Sequence, residues 1–534
     1  MNPPSSLSAP RDPSTSVGAT TRAWTALGLV LACVGVAASL RQIRAPIDVY
    51  DEGLVLTHAN HVLHGFVPYR DFYSNYPPGV FWLVAAAWEV VGESVIVERA
   101  LGLLLHVAIA SCAGRVAARA IDPARRFSWL AAGAVFVGLR HGPIWPTAWM
   151  LGLAFVWLAV VWALDARASR LRWFAAGVAL GAAGCARHDL FVYTCATAAL
   201  AYAIAWARRF AARVPARPLD VAAEFPPRRV LVAFVVGASI PLALTWGWVL
   251  WKAGWRQPVL DLYSDQTRYV LPGRVLPLPE MWKPSFLSIA VWLEFLAPLV
   301  AGVVWARGGG SKALVASTVL AIGALPQMMG RTDEHHVTYV ITAGLVIVSV
   351  ALERGALDGR TRAAAWATRG VALVLLCGPI QGLRFGAGRN WVPLATPRAS
   401  GLPARDAETA AARDRVLAFV EQHSRADERI FVGNVRHDRV YVNDMDLYYL
   451  ADRRGAVRRM QFDPNVTNRE DEQLRMIREI DGYGTRVVVL APVDYPLEPN
   501  DSSKSDSTVL DRWLAERFRE VDRAGGYRML LRAP

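Results

Sequence analysis

The strongest constraint on this chain is a succession of long apolar segments divided by short polar turns. They fall at about 24–40, 95–118, 127–139, 149–164, 173–185, 190–207, 230–251, 286–305, 313–329, 337–352 and 370–382. A bilayer core of ~30 Å is crossed by about 20 apolar residues at ~1.5 Å per residue, so the pattern predicts a multi-pass α-helical membrane protein with about eleven spans. A content of 54% hydrophobic residues with 20 tryptophans agrees with that class. Residues 77–92 are apolar but short. Their Pro-Pro start suits a helix N-terminus, and they read as a half-buried helix and not a full span.

The charge pattern orients these segments. From Ala387 onward acidic and basic residues balance, so the whole formal net charge of +13 lies before it. The excess sits in alternate short turns: Arg115 to Arg126, Arg167 to Arg172, the arginine-rich 208–229 stretch and Arg354 to Arg369. Positive-inside topology accounts for a basic excess placed this way, which argues against nucleic acid as a partner. With the N-terminus inside, an odd number of spans leaves the C-terminus outside.

The expected organisation is a disordered cytoplasmic tail at 1–22, a membrane domain at 23–386 with an outer loop at 41–79, and a soluble extracytoplasmic domain at 387–534. In that last part, helical patterns at 409–423, 470–480 and 508–523 alternate with strand-like runs at 429–433, 486–491 and 527–531, which predicts a small α/β domain. The 5 cysteines lie in apolar stretches without metal spacing, so no disulfide framework is expected.

Chemistry concentrates in the polar outer turns. Asp48, Asp51 and Glu52 follow the first segment. A solvated loop would account for them, but clustered carboxylates also suit a general base or oxygen ligands for Mg or Mn. Residues 51–64 could form a helix on the membrane surface, with His58 and His61 one turn apart. Gly65-Phe66-Val67-Pro68-Tyr69-Arg70-Asp71-Phe72 reads either as a proline-fixed aromatic turn or as a phosphate site using Arg70. Arg331, Asp333, His335 and His336 stand between two apolar segments, where charge is costly, and suit anion or sugar contacts. Arg187 and Asp189 form a tight turn that is equally consistent with a structural pair or a ligand contact.

In this order, Asp51-Glu52, Gly65 to Phe72 with Pro77-Pro78-Gly79, and Arg331 to Tyr339 resemble the GT-C membrane glycosyltransferases. The nearest group is that of the bacterial protein O-mannosyltransferases and lipid A aminoarabinose transferases. Asp444 to Ala451 also resembles the soluble part of bacterial members. The resemblance implies a polyprenyl-phosphate sugar donor, transfer on the outer face of the inner membrane, and an envelope glycan, lipid or protein as acceptor. It implies Asp51 as the catalytic base with Glu52 beside it, and substrate contacts from Asp48, Arg70, Asp71, Tyr76, Arg187, Asp189, Arg331, Asp333, His335 and His336. The cofactor expectation is Mg or Mn on Asp51 and Glu52, or none. Tyr76 departs from the pattern: the lipid A transferases carry a lysine there. That leaves Arg70, Arg331 or His336 for the lipid phosphate. A transporter or flippase, or a glycan ligase using a lipid-diphosphate donor, is the alternative reading. A transporter would place its ionisable groups near the membrane midplane.

Overall fold

The computed structural model describes residues 13–165, 169–211, 228–307, 310–355, 369–371, 373–374, 376–439, 442–463, 465–493, 498–500 and 504–534. Most of the expected tail, the 208–229 turn and much of the 354–369 turn lie outside the described residues. The first helix, α1 (Pro13–Ile43), begins within the stretch read as tail.

The membrane part is a helical bundle. After α1 come α2 (Asp51–Leu63), α3 (Gly79–Val91), α4 (Val95–Ile121), α5 (Trp129–Gly138), α6 (Ala148–Leu164), α7 (Arg170–Ala186), α8 (His188–Ala211) and α9 (Arg228–Ala253). A polar segment crossing from α9 to α12 follows, with α10 (Arg256–Val259) and α11 (Leu271–Arg274), then α12 (Phe286–Ala306), α13 (Lys312–Gly330) and α14 (Glu334–Glu353). Six of the described helices are long and apolar enough to cross a membrane. Of the other expected crossings, α5, α6 and α7 are shorter helices, α8 is a helix of 24 residues, and the last, at 370–382, lies partly outside the described residues. As expected, α3 is too short to span. Backbones approach closely where side chains are small: a Cβ on Gly133 of α5 would collide with the Gly28 carbonyl of α1. Such contacts suit a bundle whose helices gain little from hydrophobic exclusion in lipid.

The C-terminal domain is a five-stranded mixed sheet. Its strands are β3 (Arg429–Asn434), β4 (Arg454–Gly455), β5 (Val487–Ala491), β6 (Phe518–Ala524) and β7 (Tyr527–Arg532), after a small hairpin of β1 (Val392–Pro393) and β2 (Pro403–Ala404). The order is β4-β3-β5-β7-β6; β3 pairs parallel with β4 and β5, and β7 antiparallel with β5 and β6. Helices Ala407–His423, Glu470–Gly482 and Val509–Arg517 accompany it.

One expected helix, 508–523, is half strand. It stops at Arg517, and Phe518 starts β6. Burial along the first half of β6 alternates, and Gly525 and Gly526, both at positive φ, turn it back into β7. That is hairpin chemistry, and it overrides the local helical pattern.

α2 departs from the surface helix expected. Its residues Glu52 to His61 are all buried. Leu54, Val55 and Leu56 share one core with Phe81 and Trp88 of α3 and with Met445, Leu447 and Tyr448 of the soluble domain. Gly53 meets the helix Asp446–Leu450 backbone to backbone, with no room for a Cβ. Thr57 Oγ1 donates to the Met445 carbonyl at 2.8 Å, and Tyr50 Oη to that of Phe462 at 2.8 Å. His58 and His61 pack against Phe72, and burial keeps both imidazoles well below their usual pKa, His61 at about 3. They are neutral core side chains.

Candidate functional site

A cavity of about 620 Å³, including its open mouth, lies where α2 and α3 meet the helix ends of the bundle. α2 contributes Asp51, Leu54 and Val55, and the turn into α3 contributes Tyr76 and Val80. Trp145, Thr147 and Trp149 come from the start of α6, and Arg187 from the α7–α8 turn. α14 adds His335, His336 and Tyr339 from its first turns, and the crossing segment adds Arg274. Every one of these residues stands at or near a helix end, so polar groups gather on one face of the bundle.

Asp51 is half exposed at the mouth. Its Oδ2 stands 3.8 Å from Nδ1 of His335, an ion-pair separation too long for a hydrogen bond. Burial tends to raise its pKa, but His335, Arg274 and His336 outweigh it and hold the carboxyl below its usual range. Asp51 is therefore an ionised acceptor at neutral pH.

Glu52, the next residue, is turned the other way. Arg99 of α4 holds both its oxygens, at 2.6 and 2.8 Å, with the two side chains 0% and 1% exposed. Oε2 also accepts the Asp48 N–H at 2.9 Å. The Arg99 guanidinium goes on to donate to the carbonyls of Gln42, Ile43, Ala45 and Pro46, pinning the chain as it leaves α1. Asp51 and Glu52 thus cannot chelate one ion together, and among the described residues no group of three His, Cys, Asp or Glu side chains converges on a metal-sized site.

Asp48 ends the approach to α2: its Oδ1 accepts the N–H groups of Tyr50 at 3.1 Å and Asp51 at 2.7 Å. Burial first, and the Asp51 charge second, push it up from 3.8 to about 6. The folded state takes this proton more readily than the unfolded chain. Its contribution to stability is therefore best below pH 3.8, worsens as pH rises towards about 6, and is constant above. Asp48→Asn is expected to flatten that part of the stability profile, read as thermal unfolding midpoints at pH 4.5 and 7. A slope unchanged from wild type would refute it.

The Gly65–Phe72 motif buttresses the cavity from outside. Arg70 and Asp71 pair with each other at 2.7–2.9 Å, and Asp71 Oδ2 accepts the Val67 N–H. Neither residue lines the cavity. Tyr69 is fully buried at positive φ and donates through its hydroxyl to the Tyr76 carbonyl at 2.7 Å. A non-glycine residue held there is strained, and the turn keeps that strain to set the position of Tyr76. The Arg187 guanidinium stacks on the rings of Tyr76 and Trp149 while Asp189 grips it at 2.7 and 2.9 Å.

Arg331 also faces away, bound to Asp333 at 2.7 Å, to the Arg274 carbonyl at 3.1 Å and to Glu498 at 2.5 and 3.0 Å. Asp333 caps α14 through the His336 N–H and meets His336 Nδ1 at 2.7 Å. Of the three phosphate candidates read from the sequence, His336 alone lines the cavity.

The sequence reading passed over Arg274. Its side chain enters the cavity and makes no hydrogen bond or ion pair of its own among the described residues. An arginine before a Val-Leu-Pro run carries no motif; its backbone carbonyl bond to Arg331 is visible only in three dimensions. The cavity therefore sets one ionised carboxylate against two arginines and two histidines, with an aromatic wall.

The architecture is a multi-pass bundle of apolar helices carrying a C-terminal α/β domain. Solved structures of ArnT, a lipid A aminoarabinose transferase from Cupriavidus metallidurans, share it. The form bound to undecaprenyl phosphate matches with a TM-score of 0.53 at 13% identity, over 95% of this chain and 98% of that one. The apo form matches at 0.50 and 14%, with the same coverage. The apo oligosaccharyltransferase of Archaeoglobus fulgidus gives 0.48 at 12%, over 87% of this chain and 69% of that one. No protein family and no curated protein matches the sequence.

Proposed function

We propose that this chain is a membrane glycosyltransferase that moves a sugar from a polyprenyl-phosphate carrier to an envelope glycan, lipid or protein, at the outer face of a bacterial inner membrane. The N-terminus is then cytoplasmic and the soluble domain extracytoplasmic. The observation that carries this reading is the cavity, which brings the Asp51 carboxylate, the Arg274 guanidinium and the aromatic side chains of Tyr76, Trp145 and Trp149 together. The shared fold with a protein solved bound to undecaprenyl phosphate supports the donor class.

In the proposed reaction an acceptor hydroxyl approaches Asp51. Its oxygen forms a bond to the anomeric carbon as the bond from that carbon to the phosphate oxygen breaks. The electron pair leaves with the phosphate, whose charge is met by Arg274 and His336, and the hydroxyl proton passes to Asp51. Arg274 meets that charge as a cation and His336 as a neutral imidazole whose pKa burial lowers, and groups already oriented act at full strength because they need not reorient. Tyr76, Trp145 and Trp149 offer flat faces for the sugar ring, and Arg187 stiffens two of them.

Binding of undecaprenyl phosphate to the purified protein tests the anion site. Losing a charge-assisted contact costs roughly 1.5–3 kcal/mol, or about one to two decades of affinity, and Arg274→Ala is expected to show that loss. Arg70→Ala, outside the cavity, should bind like wild type. An unchanged Kd for Arg274→Ala removes this site assignment.

A further inference from the structure

We propose that the C-terminal domain completes the phosphate site by gripping the segment that carries Arg274. This rests on the reading of Arg274 given above and assigns positioning residues to it. The segment is irregular: between α10 and α11 run two π-helical turns, Leu260–Ser264 and Gln266–Val270. Wide turns of this kind are weakly held by their own backbone and are frequent at functional sites.

Three arginines of the soluble domain hold one stripe of it, at every fourth residue. Arg458 binds both oxygens of Asp261, at 2.7 and 2.9 Å, and that carboxylate is wholly buried. Arg459 meets Asp265 at 2.5 Å while lying 3.6 Å over the ring of Tyr73. Arg469 lies 3.7 Å over the ring of Tyr269. Five residues further along the chain is Arg274.

The same arginines tie the grip to the buttress of the cavity. Arg458 donates to the Tyr69 carbonyl at 3.1 Å, and its own carbonyl accepts the Tyr73 N–H at 2.9 Å. Gln266 donates to the Tyr73 hydroxyl at 2.8 Å. A buried carboxylate held by a bidentate guanidinium tolerates little displacement, because loosening it leaves a buried charge unpaired. The soluble domain, the Tyr69–Tyr76 turn and the Arg274 segment therefore move together or not at all. The domain acts as a positioning device for the cation, with no contact to the substrate.

A double-mutant cycle on the full-length protein, read as the Kd for undecaprenyl phosphate, tests this. Arg458→Gln and, separately, the milder Asp265→Asn should each weaken binding. Residues acting through one another couple by roughly 2- to 100-fold, so each loss should vanish when Arg274 is already Ala. Should Arg458→Gln fail to fold, the Asp265→Asn cycle decides alone. Losses that persist undiminished in the Arg274→Ala background, or wild-type binding by the grip variants while Arg274→Ala binds weakly, would overturn the proposal. Wild-type binding by Arg274→Ala itself instead removes the phosphate-site reading on which the proposal stands.

Discussion

Asp51→Asn is expected to lower sugar transfer by about 10²–10⁴-fold, the usual contribution of a positioned general base. The amide keeps the shape of the carboxylate and removes the lone-pair charge that takes the acceptor proton. Little packing depends on that charge: the side chain is half exposed, and its ionic partner His335 is 3.8 Å away. Expression, thermal stability and undecaprenyl-phosphate binding should therefore remain close to wild type. Because the folded carboxyl lies below its usual range, Asp51 remains ionised through mildly acidic pH, and its own titration should not limit transfer near neutrality. Asp48→Asn is the control three residues away and should retain most activity. Transfer at the wild-type rate by Asp51→Asn, measured with a radiolabelled or mass-tagged lipid donor, would remove the base assignment.

Glu52→Gln should fail for a different reason. It leaves the Arg99 guanidinium buried and without its counter-ion, and breaking a buried pair in this way costs about 3–5 kcal/mol. A lower yield and a lower unfolding midpoint are expected, and added Mg or Mn should restore neither. A Glu52→Gln protein as stable as wild type but inactive, and rescued by Mn, would instead make Glu52 a ligand. The two neighbouring substitutions thus separate chemistry from architecture: one loses rate with stability intact, the other loses stability first.

Much of this protein is legible in one dimension. The spacing of apolar segments and their arginine-rich turns carries the membrane class, because lipid forces each crossing to satisfy its backbone internally as a helix. The alternating pattern after Ala387 carries the C-terminal α/β fold. Asp51, Tyr76, Arg187, His335 and His336 were all legible as site candidates, since polar groups at the ends of apolar helices are few. Arg70, Asp71 and Arg331 looked the same in sequence, but Arg70 and Asp71 pair with each other and Arg331 with Asp333 and Glu498, all outside the cavity.

What only the tertiary structure decided is which way each side chain faces. Asp51 and Glu52 are adjacent letters, but successive helical residues point about 100° apart, so when α2 is buried on most sides one carboxylate meets the cavity and the other meets Arg99. Arg274 enters the same cavity from more than 200 residues away in sequence, on a segment whose own backbone pattern predicts no site. Local chemistry is written residue by residue. The cavity is made by contacts between distant segments, and those exist only once the soluble domain, α2 and the crossing segment have packed together.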